Sequence, residues 1–280
     1  MKYLITGRNG QLARAFIRKL EKSAIECIML DEARLDITNP AIVSEVISGC
    51  KPDVIINCAA YNLVDKAEQD RDAAYAVNAI GPRNLARAAA EQKSLLVHFG
   101  SDYVFDGLKE SGLYIEADAT NPLNEYGKSK LSGEEYVLNE HNRSLVLRLS
   151  WVFGEGTQNF IHKLSEWARS NEYLKIACDE FSVPTSTETV VDMTLRALDQ
   201  GVTGRYHMTN SGYCSRYEWA QLTLQLLGVK KFVRPVSMDA FNLPAKRPKF
   251  SAMNNSAFGK LLNCEIPAWQ EAVRSFLHKG

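Results

Sequence analysis

Short apolar runs alternate with longer segments of helical period through the first half of the chain. Residues 2 to 6 form a short apolar run ending in Thr6-Gly7-Arg8-Asn9-Gly10-Gln11-Leu12-Ala13, and helical periodicity then continues through Leu20. Ala24 to Leu30 reads as a second strand ending at Asp31, and Leu35-Asp36-Ile37-Thr38 leads into a helix from about Pro40, proline being suited to a first helical turn. Asp53 to Asn57 encloses Val54-Ile55-Ile56, the unbroken apolar run of a strand covered on both faces. A helical region runs from Glu68 to Gln92 with a break expected at Gly81-Pro82, followed by a strand from Leu95 to Phe99, a helix over 125–140 and a strand from Ser144 to Leu149. Strand and helix in alternation predict an α/β fold, a Rossmann-type doubly wound parallel sheet.

Beyond residue 150 the alternation weakens. Helical patterns fall near 160–170, 187–199, 215–227 and 268–278, with short strands near 174–177 and 205–209. The expected organisation is a nucleotide-binding domain of residues 1–150 plus about 186–212, and a smaller C-terminal substrate domain of residues 151–185 and 213–280.

The first turn carries the first candidate chemistry. Gly7 allows a tight turn, Gly10 lets the backbone approach a phosphate, and small Ala13 lets the helix close on the strand. A helix N-terminus there suits a pyrophosphate, with Arg8, Asn9, Gln11 and Leu12 around it. Asp31 stands about twenty residues on, where an acid that bonds a ribose belongs. Asp31-Glu32 favours NADH, whereas Arg8 and Arg34 could each meet the 2′-phosphate of NADPH, and the choice stays open. Cys58-Ala59-Ala60-Tyr61 closes the third strand with side chains small enough for a cofactor to lie against. Asn78, among Ala and Val, either ties neighbouring backbone together or orients a water near Lys130.

Tyr126 and Lys130 stand at i and i+4 of the 125–140 helix and share a face. An ammonium beside a phenol is expected to lower the phenol's pKa, so that Tyr126 can pass a proton near neutrality. Ser101, at the carboxyl end of the fourth strand, could bond the same substrate oxygen. That trio suits carbonyl reduction. The bland reading is a surface Tyr–Lys pair, and the glycine turn upstream argues against it.

Composition narrows the field. Lys plus Arg and Asp plus Glu both number 33 in 280 residues, with no block of one sign, so neither nucleic acid nor an anionic membrane is an expected partner. Six cysteines without C-x-x-C spacing and five histidines without ligand spacing suggest no metal site or disulfide framework. The N-terminal apolar run is too short for a signal peptide and no stretch reaches membrane length, so a cytoplasmic location is expected.

The pattern resembles the extended short-chain dehydrogenase/reductases, whose catalytic trio is Ser or Thr, Tyr and Lys. More closely it is similar to the dTDP-4-dehydrorhamnose reductase family, through Gly7 to Leu12, 35–38, 57–68, 77–86, 101–107, Tyr126 to Lys130, 151–154, Pro184-Thr185, Arg247-Pro248 and Ser251. The resemblance implies reduction by NADPH or NADH of the C4 keto group of a dTDP-6-deoxyhexose. It implies that Ser101, Tyr126 and Lys130 are catalytic, that Tyr126 and Lys130 also contact the cofactor, that Gly10, Gln11 and Leu12 meet the diphosphate, and that Asp36 and Ile37 meet the adenine region. Ala59 to Tyr61 would meet the nicotinamide, Ser101, Asp102 and Tyr103 the sugar, Trp151 its ring, and Arg247 the substrate diphosphate. Mg²⁺ and a homodimer are compatible with it. Glu180 and Ser182 stand where the family pattern has Gln and Gly, which bears on the exact substrate. A sugar-nucleotide epimerase or dehydratase with tightly held NAD⁺, and a cofactor-binding regulatory subunit like that of methionine adenosyltransferase, are the rival readings.

Overall fold

The apolar runs become the inner strands of one sheet. In the computed structural model, which describes residues 1–278, β1 (Tyr3–Thr6), β3 (Val54–Asn57), β4 (Leu95–Ser101) and β5 (Ser144–Leu149) are buried along their whole length. β2 (Cys27–Met29) lies at one edge and Gly204–His207 at the other. Read across, the order is Gly204–His207, β5, β4, β3, β1, β2, and every pairing is parallel. The chain thus leaves β1 for β2 on one side and places β3 on the other, so a crevice opens at the carboxyl ends of β1 and β3. This is a doubly wound sheet of Rossmann type.

Alternate strand residues feed two cores. Ile5, Ile56, Val97 and Leu147 pack with Phe16 and Leu20 of α1 (Gln11–Lys22). Leu4, Ile55, Leu96 and Val146 face the other way, onto Val43 and Ile47 of α2 (Pro40–Cys50) and Leu85 of α4 (Gly81–Gln92). Period-two alternation with both faces apolar is what a sheet covered on both sides requires.

Three expectations shift. The strand expected over Ala24 to Leu30 is only Cys27–Met29, because Ala24 takes a positive φ of 52° and its N–H closes the turn after α1 on Glu21. The helical path from α3 (Arg71–Tyr75) into α4 is unbroken at Gly81-Pro82. Pro82 has no N–H to give, and the path widens instead into a π turn at Ala76–Ile80 just before it. Leu174–Ala177 is a strand as expected and pairs with Val233–Val236, whereas the two-residue strands lie outside the expectation: Val152–Phe153 pairs with Thr185–Ser186, and Phe181–Ser182 with Cys214–Ser215. Two-residue pairings have no period to read.

The start of the fifth helix matters most for chemistry. α5 (Glu125–Glu140) begins at Asn124, whose Oδ1 accepts from the N–H of Gly127 at 2.7 Å. Past β5, α6 (Phe160–Ser170) and α8 (Arg216–Leu226) surround a third core of Trp151, Phe153, Trp219 and Trp269, while α7 (Thr187–Asp199) returns to pack on α1.

Candidate active site

Gly7 has φ +64°, and a Cβ there would lie 2.8 Å from the backbone nitrogen of Ala59, so β1 and β3 can approach only through glycine. Gly10 turns back on Gly7 (N to O, 2.9 Å) and starts α1 without any side-chain cap. The first N–H groups of α1 are therefore open at the crevice. Gln11 reaches across it, its Nε2 donating to the Val152 carbonyl at 3.2 Å, while its buried Oε1 has no partner. Below, Thr6 Oγ1 donates to Asn57 Oδ1 at 2.7 Å, and the Ala59 N–H meets both oxygens at 3.2 Å, which fixes the end of β3. A bare glycine cradle, an uncapped helix start and an orphaned amide oxygen fit a dinucleotide phosphate.

A cavity of about 710 Å³ runs from Gly10–Ala13 past Asn57–Ala60 to Ser101, Tyr126 and Lys130, ending at Trp151 and Val152. A second, of about 550 Å³, shares Asn62, Trp151, Val152, Gln158 and Lys163 with it and opens toward Phe160, Glu180, Arg216, Trp219 and Arg247. Together they make one cleft.

The trio gathers in the first half. Gly127 has no room for a Cβ, which would meet the Tyr103 carbonyl oxygen at 2.3 Å, so α5 lies directly on the turn after β4. Ser101 ends β4, accepts from the N–H of Tyr103 at 3.1 Å and points its hydroxyl at Asp102 Oδ1, 3.4 Å away. Burial pushes the Tyr126 phenol up to about 12, with a hydrogen bond from Ser101 pulling back. This corrects the expectation of a lowered phenol. Lys130 donates to the Phe99 carbonyl at 2.5 Å, and its own pKa is driven down to about 8 by burial, opposed by Glu134 and Cys58. Desolvation acts on both groups more strongly than their mutual field.

Other expected residues sit differently. Asp102 does not face the sugar half with a free carboxylate: its Oδ2 accepts from Ser251 at 2.6 Å, Ser182 at 2.9 Å and Ser150 at 3.2 Å. Asn78 stands behind the cavity wall rather than in it. Its Oδ1 accepts from the Tyr61 N–H at 2.8 Å, and its Nδ2 donates to the Tyr61 carbonyl and Ser129 Oγ, each at 3.0 Å. Arg247 lines the second cavity but is held by Asp65 in a two-pronged pair of 3.0 and 2.7 Å. Ile37 is buried against Gly81, and Asp36 Oδ1 accepts from both the N–H and Oγ1 of Thr38, so these two shape the loop beyond β2. Asp31 accepts from the N–H of Arg34 at 3.2 Å, and Arg8 and Asn9 are exposed on the glycine turn. Tyr103 is buried with its ring edge-on to Tyr126 at 5.8 Å. Trp151 adopts a positive φ of 41° and stacks on Trp219, so it is at once a core aromatic and a cavity wall.

The RmlD substrate binding domain family matches residues 1–280 of this sequence. The chain belongs to that family. A curated relative from Burkholderia thailandensis, named dTDP-4-dehydrorhamnose reductase, is 35% identical over 291 residues, covering 98% of this chain and 97% of its own. The crystal structure of a dTDP-4-dehydrorhamnose reductase from Clostridium acetobutylicum superposes with a TM-score of 0.96 at 37% identity, over 100% and 99% of the two chains. That of the Bacillus anthracis enzyme in complex with NADP gives 0.96 at 35%, over 100% of each.

In this member of the RmlD substrate binding domain family, the residues that the sequence did not reveal belong to the second half of the cleft. The Arg216 guanidinium lies 3.6 Å over the Trp151 ring and pairs with Glu180 Oε2 at 3.2 Å. No local spacing links positions 151, 180 and 216, and only the fold joins them. Among the described residues no group of three or more His, Cys, Asp or Glu side chains gathers as a metal site, and no helix is long and apolar enough to cross a membrane.

Proposed function

We propose that this protein reduces the C4 keto group of dTDP-4-dehydro-6-deoxy-L-mannose with NAD(P)H, giving dTDP-L-rhamnose. The observation that carries the reading is the single cleft joining the glycine turn to Ser101, Tyr126 and Lys130 in a chain whose full-length relatives are named dTDP-4-dehydrorhamnose reductases. A reduced nicotinamide, when bound, supplies the hydride.

The protein's own groups supply the rest. Gly7, Gly10 and the start of α1 receive the diphosphate, with Gln11 and Leu12 beside it, and Ala59 and Ala60 line the cavity where the nicotinamide lies in this reading, Tyr61 standing outside its lining. With a pKa of about 12 the Tyr126 phenol is protonated at neutral pH and can donate to the carbonyl oxygen as charge develops there. Ser101 donates to the same oxygen. One preorganised donor of this kind contributes roughly 3 kcal/mol in the transition state. Lys130, an ammonium below about pH 8, offsets the phenolate left behind. The elements of 151–185 and 213–280 form the substrate lobe in this reading, Trp151 walling the sugar and Lys163, Arg216 and Arg247 presenting positive charge to the nucleotide diphosphate. Arg8 and Arg34, both exposed near the end of β2, suit the 2′-phosphate of NADPH, while Asp31 and the exposed Glu32 beside them suit the free ribose of NADH, so both cofactors enter the test.

The test is a direct assay. Purified protein given the keto-sugar nucleotide and NADPH, then NADH, with and without Mg²⁺, is expected to oxidise one cofactor per dTDP-rhamnose formed. Cofactor binding without oxidation would overturn the reading in favour of another keto sugar or a non-catalytic role.

A further inference from the structure

Lys130 is followed on its face of α5 by a second buried charge. Glu134, one helical turn on, is fully buried, and its Oε2 meets both Nε and Nη2 of the equally buried Arg148 of β5 at 2.9 Å. The two residues of β4 beneath them are shared: the Phe99 carbonyl receives the Lys130 ammonium, and Gly100 leaves the space for Glu134. A Cβ on Gly100 would lie 2.1 Å from Glu134 Oε1, an oxygen that has no hydrogen-bond partner of its own. Tyr126, Lys130 and Glu134 thus form a column at i, i+4 and i+8 along one helix.

We propose that Glu134 is a positioning residue for the reaction: anchored by Arg148, it fixes a negative charge one turn below Lys130 and keeps that ammonium charged and seated on the Phe99 carbonyl while Tyr126 gives up its proton. The inference rests on the reductase reading of the cleft. A buried ion pair is a poor source of stability, since desolvation offsets most of its attraction and apolar replacements are often as stable. Its place here gives it an electrostatic use. The titratable groups around Lys130 are Tyr126 and Glu134 on α5, His98 on β4 and Cys58 at the end of β3. Burial holds His98 neutral and keeps the Cys58 thiol protonated; it also raises the Glu134 carboxyl, but the Arg148 guanidinium bonded to Oε2 at 2.9 Å, with Arg205 beyond it, opposes that shift, so Glu134 is the negative charge beside Lys130.

Two variants test this, Glu134→Gln and the double variant Glu134→Gln/Arg148→Met, the second removing both charges so that no buried guanidinium is stranded. Each is read in two ways: the pH profile of kcat/KM for keto-sugar reduction, and the pH dependence of Lys130 acetylation by acetic anhydride, followed by peptide mass spectrometry. In Glu134→Gln the falling limb and the Lys130 titration are expected to move together to lower pH, by about one pH unit or more; in the double variant, where loss of the Arg148 charge partly offsets loss of the Glu134 charge, they move the same way by a smaller amount. A Lys130 titration left in place in either folded variant, with only the melting temperature changed, would overturn the proposal and make the pair purely structural. Movement of the labelling curve without the activity limb would equally overturn it. Should the native protein not turn over the keto sugar, the reductase reading fails, while the acetylation curves still decide whether Glu134 sets the charge on Lys130.

Discussion

At the scale of single residues, burial raises the Tyr126 phenol to about 12 and lowers the Lys130 ammonium to about 8, so at neutral pH both carry the proton that the reaction needs. Tyr126 and Lys130 were legible because four residues on a helix bring side chains to one face. The direction of the phenol's shift was not, because nothing in the spacing says that the helix face is dry. Asp102 was legible as a residue near the site, but its three serine partners stand 48, 80 and 149 residues away in the sequence. Two outcomes follow. Tyr126→Phe should lower kcat by about 10²- to 10⁴-fold, the usual share of a general acid, while the cofactor dissociation constant measured by fluorescence titration stays near that of the native protein. The kcat/KM profile should fall as pH rises through about 8, where Lys130 loses its proton, and should be flat below it until another group titrates. A Lys130→Met variant should lack that limb.

At the scale of elements, strands buried on both faces announced themselves as unbroken apolar runs, and α5 and β5 begin and end where periodicity places them. What escaped was the path through Gly81-Pro82, since a π turn conserves helical period while changing which carbonyls are paired. That turn is held in place by Asn78, whose amide secures the backbone of Tyr61, and by Gly133, where a Cβ would lie 2.0 Å from the Asn78 carbonyl oxygen. Asn78→Ala leaves the Tyr61 N–H without its partner and should cost about 1–3 kcal/mol of stability in urea denaturation. Gly133→Ala should also destabilise the protein, by forcing α5 away from the π turn, and lower its melting temperature.

At the scale of the whole molecule, the cleft depends on ties between segments far apart in the chain. The Asp65–Arg247 pair and the bond from Asn124 Nδ2 to the Lys246 carbonyl strap residues 245–247 to the half that carries the parallel sheet, and no periodicity links positions 65 and 247. Asp65→Asn should loosen the strap, raising KM for the sugar nucleotide several-fold with kcat little changed in steady-state assays. The doubly wound parallel sheet and the glycine turn after its first strand could be read from the succession of strands and turns, whereas the strand order and the second half of the cleft could not, the latter because it is assembled from short strands and loop residues. The central claim is net hydride delivery to a sugar C4 in that cleft. Its most direct test is mass and NMR analysis of the product made from dTDP-4-dehydro-6-deoxy-L-mannose with NADPH carrying deuterium at the transferable position. The account predicts dTDP-L-rhamnose with one deuterium at C4 and an equal amount of cofactor oxidised; product free of deuterium, formed with no cofactor consumed, would contradict it.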